Sequence, residues 1–146
     1  MLIAVNKVYK PIDHSAALVS QVRQVLSKEQ NYNPDGGGVV VIGLNASRCL
    51  DFVDILPNME VPRVRDVFGH AFSRGAHTVA LCQTRAEAEC QPRANDLALT
   101  NRLIAAGELL GIHFLDHIML ELSSGIYFSC RDQVSKPDLD WPGTQP

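Results

Sequence analysis

Apolar residues recur along the chain with two periods, and the switches between them divide it into alternating helices and strands. A helix over 13–29 carries Leu18, Val22, Val25 and Leu26 on one face, with Asp13 placed to cap it and an end near Lys28. Residues 31–38, NYNPDGGG, are turn chemistry and release the chain into VVVIGLNA, a β-branched run expected to be a buried central strand. A turn at 45–47 leads into 49–56, where Leu50, Phe52 and Ile55 suggest a hairpin partner stopped by Pro57 and Asn58. Pro62 suits the first turn of a helix whose stripe is Val64, Val67, Phe68, Ala71 and Phe72, with Gly75 as its C-cap. A strand over 77–82, a polar loop reaching Pro92 and a helix bearing Leu99, Leu103, Ala106 and Leu110 follow, and Gly111 ends that helix. Residues 112–122 and 126–130 predict two closing strands around a turn at 123–125, and VSKPDLDWPGTQP reads as a polar tail. The order predicted is helix, two strands, helix, strand, helix, two strands, an α/β (α+β) arrangement of a mixed sheet flanked by helices.

Composition narrows the class of protein. With 146 residues, 46% hydrophobic and 20% charged, the chain has enough apolar material for one core, so a single domain over 1–135 with a tail over 136–146 is expected. A net charge of -3 gives no support for binding nucleic acid through its phosphates. The opening MLIAVNKVYKPIDH has too short an apolar run for a signal peptide, and no run approaches a membrane span, so a cytoplasmic location is expected. Cys49, Cys82, Cys90 and Cys130 lack CxxC spacing and are expected to be reduced. The glycines at 36–38 precede a strand rather than a helix N-terminus, which is the wrong context for a phosphate loop.

The segment NDLALTNRLIAAGELLGIHFLDHIMLELSSGIYFSCR at 95–131 carries Thr100, Ala106, Gly107, Leu109, Leu110 and Gly111, then Leu115, Asp116 and His117, then Tyr127, Phe128 and Ser129. This pattern resembles the RadC-like JAB/MPN domain family. Upstream, GLNASRCLDFVDIL is similar to that family's first hairpin and VRDVFGHAFSRGAHTVAL to the helix and strand before its metal loop, so the resemblance covers about 39–132. It implies a JAB/MPN-like, cytidine-deaminase-like mixed sheet flanked by helices. It also implies a zinc centre of two histidines separated by one residue and an aspartate on the following helix, with a serine three positions before the aspartate. Two imidazoles and a carboxylate leave a fourth tetrahedral position for a water whose pKa zinc lowers to about 7.

This chain departs from that pattern. Where the family reads HNHPSG, it reads CQTRAEAECQPR. Counting back from Asp96 puts Arg93 at the serine position and Arg85 and Gln83 at the histidine positions. Guanidinium stays protonated and offers no lone pair, so an arginine at a ligand position opposes a metal ion. Val53 falls at the position of the family's catalytic glutamate, with Asp54 beside it on the opposite strand face. No catalytic residue, cofactor or metal ligand is therefore expected, and Asp96 is expected either to pair with Arg85 or Arg93 or to stand beside exposed arginines.

The alternative is a divergent zinc metallohydrolase, cleaving a peptide or isopeptide bond, with ligands rebuilt from Cys82, Glu87, Glu89, Cys90 and Asp96. Alternation along a strand would place His113, Leu115 and His117 on one face, and structural hydrogen bonds are the expected use of Asp116 and His117. His70 is expected to be exposed or locally satisfied, and His14 and His77 sit at element starts. Loss of the ligand set implies a binding or scaffold module with a protein partner, a second copy of the chain or another MPN domain, contacted through the loop at 83–91 and the tail carrying Trp141.

Overall fold

The computed structural model describes residues 2–3, 5, 10–29, 37–56, 59 and 61–143, with the Glu87 side chain outside this set. The expected stop at Pro57 and Asn58 and most of the turn at 31–38 lie outside the described residues. Within them the chain forms one mixed sheet of β1 (Leu2–Ile3), β2 (Gly38–Leu44), β3 (Leu50–Leu56), β4 (Thr78–Thr84), β5 (His113–Leu120) and β6 (Tyr127–Ser129). The helices are α1 (Ser15–Ser27), α2 (Val64–Ser73), α3 (Ala94–Leu110) and α4 (Cys130–Gln133). The strand order is β1-β3-β2-β4-β5-β6, and β4 and β5 are its one parallel pair. A parallel pair requires a crossover, and α3 supplies it.

Strand alternation sorts the core into two layers. Val39, Val41, Phe52, Val79, Leu81, Phe114 and Met119 face α2 and α3, whereas Val40, Ile42, Val53, Ile55, Ala80, Cys82 and Ile118 face α1. The α/β expectation and the element order therefore hold, with β1, α4 and a 3-10 turn at Glu87–Glu89 added.

Several local expectations are corrected. His14, not Asp13, occupies the N-cap of α1, and the Asp13 carboxylate is turned to the His14 ring instead. Pro62 lies before α2, whose start is closed by Asp66 accepting from the Arg63 N–H at 3.1 Å. Arg74 is the last cap residue and Gly75 follows it with φ +65°, a conformation that suits glycine. Phe72 and Leu110, placed on buried stripes by their spacing, are 58% and 44% exposed, each in the last turn of its helix. The fourth strand runs on to Thr84, so Gln83 and Thr84 are buried strand residues rather than the start of a loop.

Alternation fails in β5. Val79 pairs with Phe114 and Leu81 with His117, so three steps on one strand match two on the other, and the bulge puts Leu115 towards α1 and His117 towards α3. Asp116 holds the bulge: its carboxylate accepts from the N–H groups of His117 (2.7 Å) and Arg131 (2.9 Å) and from Ser129 Oγ (2.5 Å). The tail is also more than polar surface. Leu139 and Trp141 are buried with Phe114, and Asn101 on α3 ties the segment down through the Asp138 carbonyl and the Asp140 N–H.

Candidate functional site

The residues at the family's ligand positions meet where β4 ends and α3 begins. Gln83 is carried by β4 with its side chain on the α3 face, Arg85 follows the strand with its N–H donating to the Leu120 carbonyl at 2.8 Å, and Asp96 is the third residue of α3. Asp96 completes a capping arrangement, accepting from the Arg93 N–H at 2.8 Å. A carboxylate in the first turn also satisfies the positive end of the helix dipole.

Arg85 reaches across to this carboxylate with both terminal nitrogens. Its Nη1 donates to Asp96 Oδ2 at 3.0 Å and its Nη2 to Asp96 Oδ1 at 2.8 Å, and the two side chains are each only 10% exposed. The paired fork is the strongest geometry available to arginine and a carboxylate. Burial acts to raise the Asp96 carboxyl, but the Arg85 guanidinium and the Arg93 N–H outweigh it and hold the group below the usual carboxylate range. Arg93 contributes its backbone; its side chain is 61% exposed and lies 3.7 Å from Glu89. Of the two arginines expected to pair with Asp96, Arg85 does.

A chain of hydrogen bonds continues inward. Gln83 Oε1 accepts from Arg85 Nη2 at 3.2 Å and lies 2.7 Å from His117 Nε2. Since arginine only donates, the oxygen of Gln83 must face it, and His117 must then donate through Nε2–H. Burial pushes His117 down to about 4, so the ring is neutral at ordinary pH and Nδ1 is an acceptor. Thr100 Oγ1 sits 2.7 Å from that nitrogen and 2.8 Å from the Asp96 carbonyl oxygen, two acceptors that share its single proton. No buried side-chain nitrogen or oxygen among the described residues lacks a partner. In the sequence Thr100 stands out only as part of the family pattern. Its spacing of four residues from Asp96, one helical turn, is the signal that sets it beside the same site.

The other candidates are dispersed. Cys82 lies on the α1 face of β4, opposite Gln83, and burial pushes its thiol up to about 12. Cys90 turns its sulfur to the Arg85 and Ala86 carbonyls, and Glu89 is exposed. Val53 faces α1, while Asp54 lies on the α2 face with Oδ2 2.6 Å from His70 Nδ1 and 3.1 Å from Arg74 Nη2. His70 is thus locally satisfied. All four cysteines are free and buried. Among the described residues, no three of His, Cys, Asp and Glu converge as a metal-binding group. The donor set does not fit zinc: Gln83 Oε1 is used by two donors, the His117 nitrogens are both engaged, and the cation nearest Asp96 is a guanidinium.

The sheet order, the single parallel crossover through α3 and the loop-to-helix junction at Asp96 define an α/β domain of the JAB/MPN type. The RadC-like JAB domain family matches residues 19–135, and the chain belongs to that family. Among its curated relatives, a UPF0758 protein of Alkaliphilus oremlandii is 33% identical over 75 residues, covering 51% of this chain and 32% of that protein. A UPF0758 protein of Symbiobacterium thermophilum is 36% identical over 69 residues, covering 47% of this chain and 29% of its own length. One from Clostridioides difficile is 33% identical over 70 residues, covering 48% and 29%. The matched stretch thus spans about a third of the length of these relatives. No helix among the described residues is long and apolar enough to cross a membrane.

Proposed function

We propose that this RadC-like JAB domain works without zinc and serves as a binding or scaffold module rather than as a hydrolase. The observation that carries the reading is the Arg85 guanidinium, held by both oxygens of Asp96 and by Gln83 where the family's ligands would converge. A zinc hydrolase needs neutral or anionic lone pairs around the ion and an open position for water. Here a permanent cation takes the carboxylate, and no carboxylate stands at Val53 to act as a base.

The partner in this reading is a protein, either a second copy of the chain or another MPN domain. Its support is the exposed apolar surface at Phe72, Leu109 and Leu110, which are 58%, 88% and 44% exposed at the ends of α2 and α3. The loop residues Ala86, Ala88, Glu89 and Gln91 are also exposed and available for contact. Trp141, expected to belong to the contact surface, is 2% exposed and is withdrawn from it.

Elemental analysis of protein purified without a metal-affinity tag tests the metal-free half. The expected result is substoichiometric zinc, with no peptide or isopeptide cleavage on adding zinc. Stoichiometric zinc lost in an Asp96→Ala or Cys82→Ala variant would overturn the metal-free reading in favour of the hydrolase alternative. Sedimentation equilibrium of the wild type and Leu109→Lys tests the other half: concentration-dependent self-association weakened by the lysine supports a second copy as partner, and a monomer at all concentrations removes it.

A further inference from the structure

We infer that Arg85 is a built-in structural cation, its guanidinium seated in a cage of oxygen atoms that fixes the loop at 85–93 to the start of α3 without any bound ion. The inference rests on the metal-free reading above and extends it to how the loop is ordered. Five acceptor atoms surround the terminal nitrogens. Nη2 donates to Asp96 Oδ1 at 2.8 Å and Gln83 Oε1 at 3.2 Å, and Nη1 donates to Asp96 Oδ2 at 3.0 Å and, at longer range, to the carbonyls of Gln91 at 3.4 Å and Glu89 at 3.5 Å.

These acceptors come from three separate stretches: the end of strand β4, the loop after it and the first turn of α3. One side chain therefore crosslinks all three. Carboxylate, carboxamide and backbone carbonyl are hard oxygen donors, a set unlike the nitrogen and sulfur ligands that hold structural zinc. Their layout suits a flat, forked cation, because both carboxylate oxygens meet separate nitrogens of one plane. The cage is also costly to empty. With the Asp96 and Arg85 side chains each 10% exposed, removing the guanidinium leaves a mostly buried carboxylate and a strand glutamine short of their donor.

Among the described residues the loop is also held by the Arg85 N–H on the Leu120 carbonyl at 2.8 Å, by the buried Cys90, and by the Glu89 N–H on the Ala86 carbonyl at 2.8 Å. The Arg93 N–H donates to Asp96 at 2.8 Å, a contact that depends on the carboxylate that Arg85 holds. Amide exchange at Glu89 and Arg93 therefore reports on the cage, while the amides of β2 and β4 report on the core.

The test is hydrogen exchange followed by mass spectrometry on wild type, Arg85→Ala and Arg85→Lys. In the wild type a chelator leaves exchange over 85–93 unchanged. In Arg85→Ala that segment exchanges about tenfold faster or more, matching the loss of a charge-assisted pair, with β2 and β4 unchanged. Guanidinium chloride at concentrations too low to denature restores protection in Arg85→Ala, whereas equal sodium or tetramethylammonium chloride does not. Arg85→Lys, which retains the charge without the fork, falls between the two and serves where the alanine variant does not fold. Unchanged loop exchange in Arg85→Ala, or loosening of the wild-type loop by chelator, overturns the inference. Zinc content decides the metal-free reading separately, so a zinc-free protein whose loop ignores Arg85 removes this inference alone.

Discussion

Trp141→Ala should destabilise the domain by about 4 kcal/mol, although the residue lies outside the family match and in a segment that reads as a polar tail. Its ring is 2% exposed and stacks on Phe114 with centroids 6.2 Å apart and planes 2° from parallel. Its Nε1–H donates to the Val134 carbonyl at 3.1 Å, and the Arg131 guanidinium lies 5.3 Å from the ring centre. An indole buries about 150–250 Å². At about 25 cal/mol per Å² this gives roughly 4–6 kcal/mol, and measured truncations of buried tryptophan cluster near 3–5 kcal/mol. For a chain of this size the expected fall in Tm is about 8–16 °C. Trp141→Phe retains most of the ring area and loses the hydrogen bond, so its cost should be nearer 1 kcal/mol. Trp141 is the chain's one tryptophan, so wild-type unfolding in urea can be followed by its fluorescence and the variants by circular dichroism. A wild-type emission at the solvent-exposed wavelength, or a Trp141→Ala cost under about 1 kcal/mol, would refute the burial argument.

Two further predictions concern titration and close packing. Burial pushes Asp116 up to about 6 and His117 down to about 4. As pH falls below the ordinary histidine value of 6.5, the unfolded chain takes the His117 proton first and stability drops; below about 6 the folded chain takes the Asp116 proton first and stability rises, until the ordinary aspartate value of 3.8. The two slopes, each about 1.4 kcal/mol per pH unit, cancel between roughly 6 and 4, leaving the wild type the fall due to His113, which burial also holds below 6.5, so Asp116→Asn should fall more steeply there than the wild type. Urea midpoints against pH measure it, and parallel curves would defeat the argument. A Cβ at Gly107 would sit 2.6 Å from the Ile112 carbonyl oxygen, whereas one at Gly69 meets nothing within 4 Å. Gly107→Ala should therefore cost about 1–3 kcal/mol and Gly69→Ala stabilise by about 0.5–1 kcal/mol, and thermal melts showing the same sign for both would contradict the packing account.

What the sequence carried legibly was whatever repeats a period. The strands β2 to β5 and the helix α3 announce themselves through continuous or helically spaced apolar residues, and Gly111 marks the end of α3 because its φ of +71° suits a residue without a Cβ. Elements that depend on a partner were illegible. The first strand is two residues long and exists by pairing with Asp54 and Val53. The bulge in β5 is made by the Asp116 side chain taking over backbone donors, which no hydrophobic count reports. Among the described residues the tail buries Leu139 and Trp141, too few to make a pattern. At the site, counting residues placed Gln83, Arg85, Arg93 and Asp96 together, but the choice of Arg85 over Arg93 required geometry, since Arg93 enters through its backbone.

Asp96 is the one residue of the family's ligand type kept at its place in this chain, and read alone it argues for a metal. Its contacts give it a sufficient reason to be aspartate without one. It closes the N-terminus of α3 through the Arg93 N–H, and its backbone carbonyl lies 2.8 Å from Thr100 Oγ1, next to the His117 ring. Its carboxylate also receives both nitrogens of Arg85. The two carboxylate contacts, to the Arg93 N–H and to Arg85, favour a short, ionised side chain at the third helical position. An Asp96→Asn change would therefore weaken the helix start and the loop together with no zinc involved. For that reason loss of stability in an Asp96 variant says nothing about a metal, and only metal content measured beside it separates a ligand from a cap.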